Sequence, residues 1–386
     1  MKNFDTMLHV RGESVFIDDL PEWAELQHLA IVFSSVAHGT IKRFDVSKAA
    51  AAPGVTRVIT AADIPGENQI GGIFPDEPLL ADGSVHFVGD PLAIVVARTR
   101  EEAYAARRLV EVEIDPLPVV IDPRESFKNG TLIQPPRTFV LGDTDKAWVD
   151  CDLVVEGTAE NGGQEHLYLE TQIAVAVPQE NGEMKIISST QSPTVVQKAA
   201  ARVLGVPQHA VEVELKRLGG AFGGKEDQAT AWAVMAALAA RVTGKPAKIC
   251  LDRREDITFT GKRHPYSTDF KIGMKKDGTI LAFQAMYYQN SGAVADLSTS
   301  ILERTLYHAT NSYHIPHVKV TAAACYTNLP PFTAFRGFGG PQGMYVIESA
   351  IRLAAEKLGI PAWVIQRKNL LKEGDLFPYG QYTERC

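Results

Sequence analysis

Two glycine-rich segments of this sequence have residue types that can bind an anion through the backbone. Residues 218–226 read LGGAFGGKE, and residues 333–342 read TAFRGFGGPQ. Each segment lies between a predicted strand and a predicted helix. Glycines let backbone N–H groups approach an oxyanion, and the start of a helix adds its dipole. The sequence therefore predicts that both corners contribute to ligand binding.

The first segment also has the glycine and lysine spacing of a nucleotide-binding P-loop. Gly219, Gly224 and Lys225 stand at the required positions, but Glu226 replaces the serine or threonine whose hydroxyl would hold Mg²⁺. A carboxylate at this position would also repel phosphates. A nucleotide site is therefore disfavoured, whereas a tight structural turn that packs a strand against a helix is the other alternative.

Two further segments contain a polar side chain that can contact a ligand. Residues 162–170 carry Gln164 beside paired glycines. Its amide can donate to an oxo or carbonyl oxygen, and the alternative is a hairpin with polar surface residues. Residues 301–308 carry Arg304 in an otherwise apolar run, where a buried guanidinium needs a partner. The alternative at that position is a surface ion pair with Glu303 or a neighbour.

Strands and helices alternate around these segments. After residue 150, the apolar pattern predicts strands at 153–159, 171–177, 184–189, 211–216, 247–251, 267–274, 279–289 and 318–326. It predicts helices at 194–204, 227–243, 342–358 and 362–371. Before that point, residues 85–97 read as strand, turn and strand, followed by a helix at 99–109. The pattern indicates an α+β (mixed α/β) fold.

The length of 386 residues allows two or three domains. A stretch rich in proline, glycine, asparagine and aspartate begins near residue 122 and is typical of a connection between domains. We therefore expect a first domain at residues 1–125, a linker at 126–145 and a second domain at 146–386.

Composition disfavours several classes of protein. The net charge of -7, with no basic stripe, argues against nucleic acid as a partner. The cysteines are far apart, so we do not expect a zinc or iron–sulfur site within the chain. Scattered cysteines are typical of a reducing compartment, so we expect a cytoplasmic location. These cysteines are Cys151, Cys250, Cys325 and Cys386. Apolar stretches are too short to predict a secretory signal or a membrane span.

Four motifs together resemble the xanthine dehydrogenase and aldehyde oxidase family of molybdenum hydroxylases. They are Gly-Asp-Pro at 89–91, Gly-Gln-Glu-His at 163–166, and the glycine-rich motifs at 219–226 and 335–342. Their order and separation are similar to those of the family along essentially the whole chain. The resemblance implies a hammerhead domain followed by the first molybdopterin-binding domain, and thus the N-terminal half of a molybdopterin-binding subunit. The resemblance is strongest to xanthine dehydrogenase.

The resemblance also implies which residues bind the molybdenum–molybdopterin cofactor. Gln164 matches a glutamine that hydrogen-bonds an oxo ligand of molybdenum, and Arg336 matches an arginine near the cofactor. A loop that lies against the metal centre matches Gly220, Ala221, Phe222 and Gly223. None of these residues is expected to ligate molybdenum directly, although Gln164 and Phe222 are expected near it.

Three further positions match the residues with which xanthine dehydrogenases hold a purine: Glu226, Arg304 and Phe338. Aldehyde oxidases usually have apolar residues in place of Glu226 and Arg304. The resemblance therefore favours hydroxylation of xanthine or hypoxanthine with oxygen from water. In catalysis, Arg304 would stabilise negative charge on the substrate and Glu226 would assist proton movement. An aldehyde or another N-heterocycle, such as a nicotinate-type compound, is the alternative substrate.

Part of the family's site has no counterpart in this sequence. In the family, a second molybdopterin-binding half holds most pterin contacts and the glutamate that acts as general base. The resemblance therefore implies a split subunit or a fragment that, when isolated, neither retains the cofactor nor turns over. It also implies a second-half molybdopterin-binding chain, and partner chains with [2Fe–2S] clusters and FAD. A non-catalytic or truncated cofactor-binding module is the alternative.

Overall fold

The computed structural model describes residues 4–385, and the chain divides into two compact units. The first unit comprises Met1–Val119, Glu165–Gly261 and Asn328–Thr333. The second comprises Val120–Gln164, Lys262–Thr327 and Ala334–Cys386. Each unit therefore combines segments that are distant in the sequence. None of the helices between residues 4 and 385 has both the length and the apolar character that crossing a membrane requires.

Strands and helices alternate as the sequence predicts, and the mixed α/β class is confirmed. The strands are β1 (Gln27–Phe33), β2 (Gly39–Asp45), β3 (Val55–Ile59), β4 (Ser84–Val85), β5 (Pro91–Ala97), β6 (Glu111–Pro116), β7 (Arg137–Leu141), β8 (Leu153–Asn161), β9 (Ile173–Pro178), β10 (Met184–Ser188), β11 (Val211–Glu214), β12 (Ala247–Cys250), β13 (Tyr266–Met274), β14 (Ile280–Gly292) and β15 (His317–Tyr326). The helices are α1 (Phe4–Arg11), α2 (Ser47–Ala50), α3 (Arg100–Arg107), α4 (Pro123–Lys128), α5 (Thr144–Ala147), α6 (Pro193–Leu204), α7 (Ala229–Thr243), α8 (Arg253–Phe259), α9 (Ser298–Tyr307), α10 (Gly340–Leu358) and α11 (Ala362–Lys368).

A seven-stranded mixed sheet forms the centre of the first unit, in the order β11-β10-β9-β12-β1-β5-β3. Strand β12 pairs in parallel with β1 and antiparallel with β9, so it joins the two halves of the sheet. Helices α6 and α7 pack on one face. Helix α7 is rich in alanine, and its small side chains allow it to lie close to the strands with most of its residues buried.

A three-stranded sheet in the order β4-β2-β6 completes the first unit. Its apolar residues Ile41 and Phe44 share a core with Val58 and Val95 of the larger sheet. Helix α3 follows β5 and begins with a capping box, in which the Thr99 hydroxyl accepts from the backbone N–H three residues later. Strands β4 and β5 and helix α3 correspond to the strand, turn, strand and helix that the sequence predicts at residues 85–109.

A five-stranded sheet in the order β7-β15-β14-β13-β8 forms the centre of the second unit. Strands β14 and β15 are parallel, whereas the other neighbours are antiparallel. Helix α10 packs on β8 and β13, and α9 packs on β15. Buried Phe283, Val320 and Ile347 lie in the shared core. The sheet therefore fixes the position of both helices, which adjoin the second glycine-rich corner.

The expected domains, 1–125 and 146–386, remain a prediction. The two compact units do not follow these bounds, and each contains residues of both expected domains. The reason is that β1, β3 and β5 pair into the same sheet as β9 to β12. Residues 126–145, expected as a linker, contain β7, which pairs with β15. Residues 162–170 do not form the alternative hairpin, because β8 and β9 belong to different sheets.

The Gly-Asp-Pro turn before β5 places Asp90 in the interior, where its side chain is buried. Burial raises the pKa of Asp90 to about 7, although the backbone N–H of His86 donates to its carboxylate at 2.9 Å. Between about pH 4 and pH 7 the folded chain therefore binds a proton that the unfolded chain releases. Because the folded state binds more protons in this window, the free energy of unfolding falls as the pH rises.

We expect Asp90→Asn to be more stable than the wild type above pH 7, by up to about 4 kcal/mol for a shift of this size. The advantage should decrease as the pH falls towards 4. Urea denaturation between pH 5 and pH 8 measures how the free energy of unfolding of the wild type and of the variant changes with pH. The matched control is Asp82→Asn, because Asp82 is exposed on a neighbouring loop. An Asp90→Asn variant with the pH dependence of the wild type would contradict the prediction.

Candidate functional site

The corner between β11 and α7 presents successive backbone N–H groups that lack an acceptor. No atom of residues 4–385 accepts a hydrogen bond from the N–H groups of Gly220, Ala221 or Phe222. The φ angles of Gly220 and Phe222 are 99° and 56°, so the backbone turns through the left-handed region. Phe222 is 49% exposed despite its apolar ring. Neighbouring free donors in such a turn can bind an oxyanion or another oxygen acceptor.

Lys225, at the end of this corner, is fully buried. Its ammonium donates to the backbone oxygen of Glu170 at 2.7 Å, to a carboxylate oxygen of Glu170 at 3.1 Å and to the Ser189 hydroxyl at 2.8 Å. A lysine with these three acceptors is not available to phosphates in the manner of a P-loop lysine. This geometry agrees with the sequence analysis, which disfavours a nucleotide site.

Close packing explains the P-loop-like glycine spacing. A Cβ atom at Gly219 would lie 2.4 Å from the Cβ atom of Glu170. A Cβ atom at Gly224 would lie 2.7 Å from the His166 ring. Both distances are far below van der Waals contact, so these positions need glycine for steric reasons.

Gln191 belongs to the same corner, and the sequence analysis did not identify it. Its Oε1 atom accepts from the backbone N–H groups of Gly223 at 3.0 Å and Lys225 at 3.4 Å. Because the oxygen is engaged, its Nε2 group is the one left to donate to a ligand. A signal was available: β10 and β11 are parallel neighbours, and both lead into a helix. Residues that follow such strands lie at one edge of a sheet.

Two adjacent carboxyl groups follow the glycine-rich corner. Burial raises the pKa of Glu226. Burial and the nearby charge of Glu226 raise the pKa of Asp227 to about 6. A carboxyl group with a pKa near 6, such as Asp227, can hold or transfer a proton near neutral pH, and the pKa of Glu226 is shifted in the same direction. Glu226, the predicted site residue, is therefore suited to proton movement as well as to hydrogen bonding.

Gln164 lies in the second unit, where Arg263 holds it. The Nε atom of Arg263 donates to Gln164 Oε1 at 2.9 Å, and the backbone N–H of Arg263 donates to the Gln164 carbonyl at 3.0 Å. Arg263 also donates to the backbone oxygen of Arg336 at 2.9 Å. Its guanidinium carbon lies 4.0 Å from the centre of the Phe335 ring. Arg263, which the sequence analysis did not identify, therefore connects Gln164 to the second glycine-rich corner.

Arg304 lies on α9 with an exposed side chain. The alternative ion pair with Glu303 is not formed, because Glu303 pairs with Arg137 at 2.9 Å. Within residues 4–385, the Arg304 side chain makes no ion pair or hydrogen bond. Its guanidinium is therefore available to a ligand with an oxygen acceptor.

The corner between β15 and α10 carries Arg336 and Phe338. Arg336 is exposed, and Phe338 has a φ angle of 48°. The next residue, Gly339, packs directly against α9, since a Cβ atom there would lie 2.2 Å from the Ile301 carbonyl oxygen. This approach brings the corner that carries Phe338 against the helix that carries Arg304.

The predicted site residues fall into two groups. The first unit contains Gly220, Ala221, Phe222, Gly223 and Glu226, to which the structure adds Gln191. The second unit contains Gln164, Arg304, Arg336 and Phe338, to which it adds Arg263. Each group combines exposed hydrogen-bond donors with an aromatic ring, which is a set that can bind a polar, oxygen-rich ligand.

Two family models match the sequence. Residues 128–370 match the molybdopterin cofactor-binding domain, and residues 11–118 match the a/b hammerhead domain of aldehyde oxidase and xanthine dehydrogenase. The chain is 43% identical to a xanthine dehydrogenase/oxidase of Mus musculus over 378 residues. It is 40% identical to a xanthine dehydrogenase of Oryza sativa subsp. japonica over 384 residues. The structure resembles an aldehyde oxidoreductase from Desulfovibrio gigas with a TM-score of 0.92 and 30% identity.

These relatives are considerably longer than the chain. The alignments cover 98% of this chain but 28% of each of the two dehydrogenases. The structural match covers 99% of this chain and 44% of the aldehyde oxidoreductase. Both the predicted domain types and their order are confirmed. The chain thus belongs to the aldehyde oxidase and xanthine dehydrogenase family, and it carries the hammerhead and molybdopterin cofactor-binding domains of that family.

Proposed function

We propose that the chain contributes to a molybdenum hydroxylase that acts on xanthine or hypoxanthine. The observation that carries the proposal is the run of free N–H groups at Gly220, Ala221 and Phe222. These donors fit the molybdenum–molybdopterin cofactor, whose oxygen atoms accept hydrogen bonds. No side chain of this corner needs to ligate the metal for that contact.

The cofactor, when bound, supplies the oxidation of an electron-poor carbon with oxygen derived from water. The chain's own residues bind the cofactor and orient the substrate. The N–H groups of Ala221 and Phe222 and the Nε2 group of Gln191 donate to acceptor oxygens. Gln164 keeps its predicted role as an amide donor, because Arg263 engages its Oε1 atom and leaves Nε2 for a ligand. The exposed Phe222 ring supplies an apolar wall.

Purine recognition is proposed from three side chains. The guanidinium of Arg304, which has no partner among residues 4–385, pairs with a carbonyl oxygen and stabilises negative charge there. Glu226 accepts from a ring N–H group or carries a proton, which its raised pKa favours. Phe338 packs against the ring. If an apolar aldehyde were bound instead, each of these polar side chains that lost its hydrogen-bond partner would weaken binding by about 1–3 kcal/mol.

The proposal includes partners. The relatives extend well beyond the matched region, so we propose that a second molybdopterin-binding half completes the site. Electrons that leave molybdenum need a relay, and we assign it to [2Fe–2S] clusters and FAD on other chains or segments. We also propose a cytoplasmic location, because scattered cysteines suit a reducing compartment.

The test compares electron donors for the protein assembled with its second half. Xanthine, hypoxanthine, nicotinate and benzaldehyde are supplied in turn, and molybdenum content is measured on the same sample. We expect bound molybdenum and a kcat/KM for the purines that exceeds that for benzaldehyde by at least about 30-fold, because an aldehyde would leave two charged groups unsatisfied at about 1–3 kcal/mol each. A preference for benzaldehyde or nicotinate would replace the purine assignment, and a fully assembled protein without molybdenum would refute the function.

Gln191 provides a separate prediction. Gln191→Leu removes both the amide donor and the Oε1 acceptor of Gly223 and Lys225, so it is expected to lower kcat/KM at least about tenfold, the value of one neutral hydrogen bond of about 1–1.5 kcal/mol. The control is Gln179→Leu, an exposed glutamine of the same unit that bonds only to neighbouring backbone. Steady-state kinetics and molybdenum content are measured for both variants. Equal behaviour of the two variants would remove Gln191 from the site.

A further inference from the structure

We infer that the buried pair of Lys225 and Glu170 is a positioning device that holds the corner at residues 219–225 open, with its free N–H groups available to the cofactor. The inference rests on the proposed function, because it assigns the task of these groups to that cofactor. The pair itself does not touch the ligand in this assignment. It acts through the backbone of the corner.

The position of Lys225 leaves its ammonium no exit to solvent. Its side chain is 0% exposed and that of Glu170 is 13% exposed. Two oxygens of Glu170 and the hydroxyl of Ser189 accept from the ammonium. The Tyr168 ring lies 4.6 Å from the ammonium nitrogen. A buried ammonium with this set of partners has one favourable position, because each alternative would leave a charge unpaired.

Glu170 binds the other end of the corner. Its Oε2 atom accepts from the backbone N–H of Gly219 at 3.0 Å, and its own backbone N–H donates to the Gly219 carbonyl at 3.1 Å. The same Oε2 atom accepts from Lys225. One carboxylate oxygen therefore joins the first and last residues of the corner, and the distance between those residues is fixed.

Between the two anchored ends, the corner contains an internal backbone hydrogen bond from the Gly224 N–H to the Ala221 carbonyl at 2.8 Å. The Lys225 carbonyl accepts from the backbone N–H of Gln191 at 2.7 Å, which also fixes the glutamine. Gly223 donates to the Gln191 side chain. The N–H groups of residues 220–222 have no acceptor in residues 4–385. The anchors thus fix both ends of a corner whose N–H groups at residues 220–222 stay free, and this is the state that a ligand needs.

The decisive variant is Lys225→Met with Glu170→Gln, made in the protein assembled with its second half. The double change removes both charges and leaves no buried charge unpaired, so the melting temperature should stay within about 5 °C of the wild type. We expect molybdenum content to fall about fivefold, or kcat to fall about tenfold at equal molybdenum content with KM nearly unchanged. A folded variant with wild-type molybdenum content and kcat would overturn the inference.

The control removes a second ion pair of the same unit. Arg107 and Glu255 form a largely buried salt bridge that joins α3 and α8. Arg107→Met with Glu255→Gln is expected to leave molybdenum content and kcat within about twofold, because this pair does not anchor the corner. A control variant that loses molybdenum to the same extent would show a general effect of charge removal and would overturn the inference.

A milder variant covers the case in which the double variant does not fold. Ser189→Ala keeps both charges and removes the hydroxyl that contacts Lys225 and Glu170. We expect kcat or molybdenum content to fall at least about threefold, because two hydrogen bonds of about 0.5–1.5 kcal/mol each are lost, and wild-type values would overturn the inference. If the wild-type protein holds no molybdenum, the proposed function fails as well. If the wild type holds molybdenum and all variants match it, only this inference fails.

Discussion

Replacing Arg304 by leucine is expected to lower kcat/KM for xanthine by about 10- to 100-fold, which corresponds to one charge-assisted hydrogen bond of about 1.5–3 kcal/mol. The reason is that the guanidinium is exposed on α9 and has no partner within residues 4–385, so its hydrogen bonds remain for the substrate. Because the charge develops on the substrate oxygen during the reaction, most of the loss should be in kcat. Steady-state kinetics of the assembled protein measure the effect.

Two comparisons make this prediction specific. Glu226→Leu should cause a similar loss for xanthine, whereas neither variant should lose activity with benzaldehyde, because the only polar group of that aldehyde is its reacting carbonyl and leucine leaves no unsatisfied charge beside the ring. Arg352→Leu is the control, since Arg352 is an exposed arginine of the same unit on α10. Equal losses for xanthine and benzaldehyde would count against the purine assignment.

Local structure could be predicted because it depends on local patterns. The predicted helix at 227–243 corresponds to α7 (Ala229–Thr243), and the predicted strand at 267–274 corresponds to β13 (Tyr266–Met274). Both glycine-rich corners lie between a strand and a helix, as the sequence predicts. Alternating apolar residues and helix-ending glycines are sufficient for such assignments.

Long-range pairing could not be predicted from these patterns. Strand β12 (Ala247–Cys250) pairs with β1 (Gln27–Phe33), more than 200 residues earlier in the chain. A short apolar strand has the same pattern whichever neighbour it pairs with, so periodicity does not specify the sheet order. The same limit explains why the compact units cut across the expected domains.

The candidate site was predicted where glycines or charges signal it and missed elsewhere. Gln191 lies in Ser-Thr-Gln-Ser, a polar sequence without glycine, and its importance depends on contacts with residues 223 and 225. Lys225 looks like a ligand-binding residue in the sequence, but its ammonium points into the unit. Arg263 has no motif of its own, and only the fold brings it to Gln164. Roles that depend on partners distant in sequence require coordinates.

Gly339→Ala is expected to destabilise the chain by about 3 kcal/mol or more, through strain and overpacking that act together. The φ angle of Gly339 is +93°, which an alanine adopts only at a cost. The added Cβ atom would also lie 2.2 Å from the carbonyl oxygen of Ile301 and 2.8 Å from the hydroxyl of Thr305. Because the first of these atoms is backbone in α9, relief requires the corner to move away from the helix.

Gly374→Ala separates the two causes. Gly374 has a φ angle of +87°, but a Cβ atom there has open space around it. Gly374→Ala should therefore lower the free energy of unfolding only by the backbone strain of about 1–2 kcal/mol. Urea denaturation measures both variants. Gly339→Ala should also lower kcat/KM for xanthine, because it separates Phe338 from the helix that carries Arg304, whereas Gly374→Ala should not. If the two variants lose the same stability and keep the same activity, the contact of Gly339 with α9 does not organise the substrate residues of this unit.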